Sequence, residues 1–141
     1  MAKQYVKLKD LKGFDDEFLN ALGELEQRIF ESYGQFMKPR EGEVEHSMFT
    51  EFKQNFGYDT SGRKYLRLVN GAFGGQASVW GFIAKTDFEV DSKRKTGPAK
   101  VVFKEGDLLK SAGWATPALN APRGNIFMED YKVQWTGPNY L

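Results

Sequence analysis

Apolar positions recur at helical spacing in one long segment near the start of the chain. Phe18, Leu22, Leu25 and Ile29 fall on a single stripe, which predicts a helix from about Asp15 to Tyr33. Asp15, Asp16 and Glu17 crowd its first turn, where carboxylates meet the positive end of the helix dipole, and Asp15 is placed to cap it. Gly34 stands where a helix-ending glycine belongs. Gly23 lies inside the helix and marks either a close helix–sheet contact or nothing. A second helix is predicted from Met48 to Phe56, where Met48, Phe49, Phe52 and Phe56 share one side. Residues 37–47 between the helices are polar, contain Pro39 and Gly42, and read as a loop.

From Arg63 the period falls to that of strands. Strands are predicted at 64–69, 77–85, 100–104 and 131–135, with short ones at 5–8 and 107–110. Residues 70–76 contain Asn-Gly and Gly-Gly pairs and read as a hairpin loop. Residues 57–62 read as a turn cluster, and residues 91–98 as an exposed basic loop. Residues 111–128 hold two prolines and two glycines, which disfavour a regular element. The expected fold is α+β, with an N-terminal helix or helices packed on a small, curled antiparallel sheet or open barrel. A parallel sheet would need crossover helices, and the second half has no room for them. A chain of 141 residues is the usual size for one domain, here a helical part at 1–60 and a β-rich part at 61–141.

Composition narrows the chemistry. The chain has no cysteine, which excludes disulfides and thiolate metal sites and fits a reducing compartment. No apolar run reaches signal-peptide or membrane-span length, so the expectation is a cytoplasmic protein without a membrane partner. The net charge of +1 hides an asymmetry. Residues 1–60 carry eight Lys/Arg against twelve Asp/Glu, a net of −4, and residues 61–141 carry twelve against seven, a net of +5. Either the C-terminal part has a basic face, or the two halves attract each other on folding.

Nothing in the sequence reads as a catalytic site, and no cofactor or metal is expected. The single histidine, His46, sits in a glutamate-rich loop beside Ser47 and reads as an exposed surface residue. Glu41, Glu43 and Glu45 read as a solvated loop face. No nucleophile elbow and no phosphate-binding glycine loop is present. An enzyme would need a dispersed site, for example a pocket gathering Asp107, Arg123 and Asp130. Two features remain. Lys93, Arg94 and Lys95, with Lys100 and Lys104 following, either contact phosphates or make a merely solvated loop. The stretch from Gly113 to Phe127 brings Trp114, Arg123 and Asn125. These either stack a base and hold a phosphate, or form a plug over the end of the barrel, with Arg123 bonding loop carbonyls.

Ser78-Val79-Trp80, Gly106-Asp107, Trp114 with Pro117-Ala118, and Arg123-Gly124-Asn125-Ile126 occur in that order over residues 63–127. This succession resembles a group of small uncharacterised proteins of tailed bacteriophages. The resemblance implies a phage origin and a bacterial host cytoplasm, and it implies no activity. The functional expectation is a small non-catalytic binding protein. Its ligand is nucleic acid or a nucleotide, held by Lys93, Arg94, Lys95, Trp114, Arg123 and Asn125. The alternative is a protein-interaction module that binds a host protein or serves in the virion.

Overall fold

The computed structural model describes residues 5–74, 76–92, 96–97, 99–113, 116–119 and 121–138. The first long element is α1, Asp16–Phe36. Asp15 caps it, its Oδ1 accepting from the Phe18 N–H at 2.8 Å. Phe18, Leu22, Leu25, Ile29 and Tyr33 bury one stripe of α1, as the spacing predicts. The helix runs three residues beyond the expected end at Tyr33. Gly34 is therefore not a terminator but an interior gap. A Cβ there would lie 2.9 Å from the Phe49 ring, so the missing side chain lets that ring lie against the helix.

Phe49 belongs to α2, Ser47–Asn55. His46, expected on the surface, is only 6% exposed. It is the N-cap of α2, its Nδ1 accepting from the Met48 N–H at 3.1 Å. A helix start needs acceptors for its first N–H groups, and an imidazole nitrogen serves where a carboxylate would be usual. Glu45 departs from the expected solvated face as well: it takes the Thr50 hydroxyl and the Lys53 amine. Tyr33 stacks on Phe52 with ring centroids 4.4 Å apart, which joins the two helices.

The strands are β1 (Gly57–Asp59), β2 (Tyr65–Asn70), β3 (Ser78–Ala84), β4 (Phe88–Asp91), β5 (Lys100–Phe103), β6 (Leu108–Leu109), β7 (Val133–Gln134) and β8 (Gly137–Pro138). Four of them form an open antiparallel sheet in the order β1-β2-β3-β6. The pairs β4-β5 and β7-β8 are two-stranded ribbons. The fold is α+β, and the sheet does not close into a barrel.

Several expectations change. Residues 57–59, expected within a turn, pair with Arg67–Val69 as the sheet's edge strand. Turn-rich residues there are overridden by burial: Tyr58 is fully buried and Asp59 is 2% exposed. The strand expected at 5–8 is a single bridge from Val6 to Tyr58, followed by a short 3-10 helix over Leu8–Asp10. Phe88–Asp91, not foreseen as a strand, pairs with Lys100–Phe103. The expected strand at 131–135 shrinks to Val133–Gln134 and gains β8 as its partner.

The register of β2 and β3 slips between Leu68 and Val69, which pair with Gly81 and Val79 and leave Trp80 as the extra residue. Such a bulge re-aims a side chain. Trp80 is buried to 1% exposure in the core that also holds Leu22, Leu25 and Ile29. Its Nε1–H donates to the Gln134 carbonyl at 2.8 Å, tying the β7-β8 ribbon to the sheet.

Gly23 sits in open space for a methyl group, with Leu8 at 3.8 Å as the nearest neighbour. Gly23→Ala is expected to raise stability by about 0.5–1 kcal/mol. Gly34→Ala should lower it, because the Phe49 ring must move. Urea melts of the two variants check both signs.

Candidate nucleic-acid interface

The sheet has an apolar face turned away from α1. Phe82, Ala84, Phe103 and Leu109 form its buried cluster, with Val79, Val90, Val101 and Leu119 packed against them. Two segments that drew attention in the sequence rise from this cluster. The β4-β5 ribbon sends Phe88, Val90, Val101 and Phe103 to one face, by the alternation of strands, and leaves Glu89, Asp91, Lys100 and Val102 outside. At the far end of its ladder the Ser92 N–H donates to the Ala99 carbonyl at 2.8 Å. Lys93, Arg94 and Lys95 follow Ser92 in the chain and lie outside the described residues.

The second segment leaves β6 and is closed by main-chain bonds. Ser111 bridges Pro117, and the Ala112 and Gly113 N–H groups both donate to the Thr116 carbonyl, at 2.9 and 3.1 Å. The Ala118 N–H donates to the Lys110 carbonyl at 2.7 Å. Trp114 belongs to the span these bonds close and also lies outside the described residues. Leu119 then returns the chain to the cluster.

Arg123 and Asn125 stand on a third segment, which runs beside β6. The Arg123 N–H donates to the Leu108 carbonyl at 2.7 Å, and the Leu108 N–H to the Gly124 carbonyl at 2.8 Å. The Arg123 side chain is half-buried, and its Nε–H donates to the Ala121 carbonyl at 3.3 Å. The Asn125 amide is committed to internal partners. Its Nδ2 donates to the Glu105 carbonyl and to Asp107 Oδ1, at 2.9 and 3.0 Å, and its Oδ1 accepts from the Phe127 N–H at 2.8 Å. Asp107 is itself 6% exposed, and its Oδ2 accepts from the Lys104 N–H. Asn125 and Asp107 thus lock the 104–107 turn to the 125–127 turn.

The later lysines of the ribbon have carboxylate neighbours. Lys100 Nζ lies 3.0 Å from Asp91, and Lys104 Nζ 3.9 Å from Asp87. All four side chains are more than half exposed, so these pairs add little stability. Each sets one lysine beside one carboxylate on the shaft of the ribbon. Asp59 and Arg67 pair at 3.2 Å deep in the sheet and connect the acidic and basic halves.

No family model, curated protein or solved structure matches this chain.

Elsewhere the fold gathers polar groups that sequence spacing did not reveal. The buried Tyr58 hydroxyl donates to Glu26 at 3.3 Å. Burial raises the Glu26 carboxyl above its ordinary value, with the Tyr58 hydroxyl and the Lys7 charge pulling the other way. Burial also lowers the Lys7 amine, against the pull of Glu26. That amine caps the end of α2, donating to the Lys53 carbonyl at 3.3 Å and to the Gln54 carbonyl. These groups meet across 51 positions of sequence, from Lys7 to Tyr58, so only the fold could bring them together. A shallow cleft of about 340 Å³ at the start of α1 includes Lys12, Asp15, Lys85 and Glu105. Its Lys85 amine is engaged by the carbonyls of Gly62 and Thr60, and burial lowers its pKa.

Two outcomes follow. Asn125→Ala should destabilise the fold by about 1 kcal/mol or somewhat more, since it removes bonds to both turns and leaves the buried Asp107 carboxylate without its amide donor, and thermal melts measure this directly. For Glu26 the sign is set by the raised folded value. The folded state holds the proton longer than the unfolded chain, so stability falls as pH rises from near 4.5 through the raised value. Glu26→Gln should flatten that decline in urea melts taken across the same pH range.

Proposed function

We propose that this chain is a small non-catalytic nucleic-acid-binding protein that works through the tip of the β4-β5 ribbon and the Trp114 segment. One observation carries the reading: both segments are anchored in the same cluster, through Val90 and Val101 on one side and Leu109 and Leu119 on the other. A rigid apolar base under two separate loops is a common way to hold binding groups near one another. Lys93, Arg94 and Lys95 would neutralise phosphates, and Trp114 would stack a base. The engagement of Asn125 with Asp107 and Glu105 gives it a role in holding two turns together rather than a contact with ligand. Arg123, with Nε on the Ala121 carbonyl, would act at the margin. The succession of motifs that resembles small tailed-phage proteins supports a phage origin, with the bacterial host cytoplasm as the place of action.

A second reading has its own observation. At the tip of the helical hairpin, Phe36, Val44 and Met48 are 65%, 100% and 51% exposed. Exposed apolar side chains in one region of the chain favour a protein partner.

Fluorescence anisotropy with labelled single-stranded DNA, duplex DNA and RNA at two salt concentrations separates the readings. Micromolar binding that weakens with salt is expected. Arg94→Glu should weaken it and reduce the log–log salt slope by about 0.7–0.9 for each phosphate that is no longer neutralised. Trp114→Ala should weaken binding with the slope unchanged. No binding at low salt removes the nucleic-acid reading and leaves the helical-hairpin surface as the working face.

A further inference from the structure

We propose that the outer edge of β5 accepts an acidic extended peptide by strand addition. The register of the ribbon fixes which groups are free to do this. Ser92 and Ala99 form a hydrogen-bonded pair, and in an antiparallel ladder such pairs alternate. Val90–Val101 and Phe88–Phe103 are then hydrogen-bonded pairs, and the backbone groups of Lys100 and Val102 point away from β4. Among the described residues, no backbone hydrogen bond reaches that edge and no strand other than β4 pairs with β5. The Lys104 N–H and carbonyl are occupied by Asp107, so the open stretch is short and centred on Val102. Val102 is 51% exposed, which is unusual for a valine within a strand of this fold.

The chemistry of the incoming strand can be read from β4. Strand β4 already pairs with β5, and it places Asp91 on Lys100 and Asp87 beside Lys104, with Glu89 across from Val102. A strand on the other side of β5 meets the same lysines, which are more than half exposed and, with three donors on each ammonium, can hold a second carboxylate beside the one they have. It is favoured by carboxylates at its first and fifth positions and an apolar residue between them, over Val102. Cross-strand pairs of opposite charge stabilise a ladder, and like charges directly opposite oppose it. That rule also excludes β5 of a second copy. An antiparallel pairing centred on Val102 would put Lys100 of one copy across from Lys104 of the other. Lysines on an edge commonly serve to prevent such contact, and the same charge selects an acidic strand. The inference does not depend on nucleic-acid binding.

The test uses the full chain, labelled with ¹⁵N, and the blocked peptide Glu-Thr-Val-Thr-Glu. The expected result is saturable shifts of the Lys100 and Val102 amides. Affinity should fall about tenfold for the peptide Lys-Thr-Val-Thr-Lys, from the two reversed cross-strand pairs. Methylating the nitrogen of the peptide's central valine should abolish binding, because it removes the donor to the Val102 carbonyl. Lys100→Glu with Lys104→Glu should reverse the peptide preference. If that variant loosens the ribbon, the peptide series on the unmodified chain decides alone. Absence of shifts at these two amides, or equal binding of the charge-reversed or methylated peptide, overturns the proposal. Concentration-dependent shifts without peptide would assign the edge to a second copy. An oligonucleotide that moves the same amides and displaces the peptide would assign it to nucleic acid.

Discussion

The central strand β3 is apolar on both sides, and most of the architecture answers that fact. From Trp80 to Ala84 every residue is buried. A strand of an antiparallel sheet with one wet face would alternate; this one does not, so both faces must be covered. On one face α1 lays down Phe18, Leu22, Leu25 and Ile29 against Leu66, Leu68, Trp80 and Ile83. On the other face no helix is available in the sequence. The β4-β5 ribbon and Leu119 take that place over Phe82, Ala84 and Leu109. Burying a large side chain from exposed to core is worth about 1.5–3 kcal/mol, so five consecutive buried positions outweigh the weak local preferences of the covering segments. This explains why 88–91 becomes a strand although its sequence, Phe-Glu-Val-Asp, carries only a brief alternation.

The long irregular stretch after β6 follows from the same demand. It must pass from the ribbon side of the sheet to the helix side, where Ile126 and Tyr131 enter the main core. On the way its main chain is held by β6, and its turn by Asn125 and Asp107. Arg28 then fixes the arrival, its guanidinium donating to the Tyr131 and Glu129 carbonyls and lying 4.0 Å from the Tyr131 ring centroid. An irregular segment this long stays ordered only if its polar groups find partners along the way. Asn125 and Arg28 supply them.

How much of this was legible depends on range. The stripe on α1, the Asp15 cap and the strands around Leu66 and Ile83 are local patterns, and the sequence displays them. The edge strand at Gly57–Asp59 was hidden because its residues favour turns, and its pairing with Arg67–Val69 is a tertiary outcome. His46 was hidden because capping by an imidazole depends on which way the chain enters α2. The Glu26–Tyr58–Lys7 group joins a helix, a strand and the N-terminal segment, and no spacing rule links them. Asn125 was picked out by its neighbours in the sequence, yet its amide faces inward. A polar residue in a glycine- and proline-rich stretch is as apt to hold the stretch together as to meet a ligand, and only the bonds distinguish the two.

Charge completes the picture of the ribbon. Along its shaft Asp91 and Asp87 each stand beside one lysine, Lys100 and Lys104, and Glu89 faces Val102. The three basic residues 93–95 come after the last of these acids in β4. With about 3.4 Å per residue, the Asp87–Lys104 pair is roughly 17 Å of strand away from Ser92, about two Debye lengths at physiological salt. Salt therefore screens charges at the Asp87–Lys104 end of the ribbon from those at its Ser92 end, where Asp91 and Lys100 offset each other. Of the net +5 in the β-rich half, three charges belong to this triplet. In sequence, the asymmetry between the halves is thus concentrated in three consecutive residues. On the readings proposed above, a phosphate backbone would be drawn to that triplet by charge, while an acidic peptide would be held on the shaft by main-chain hydrogen bonds as well as by charge.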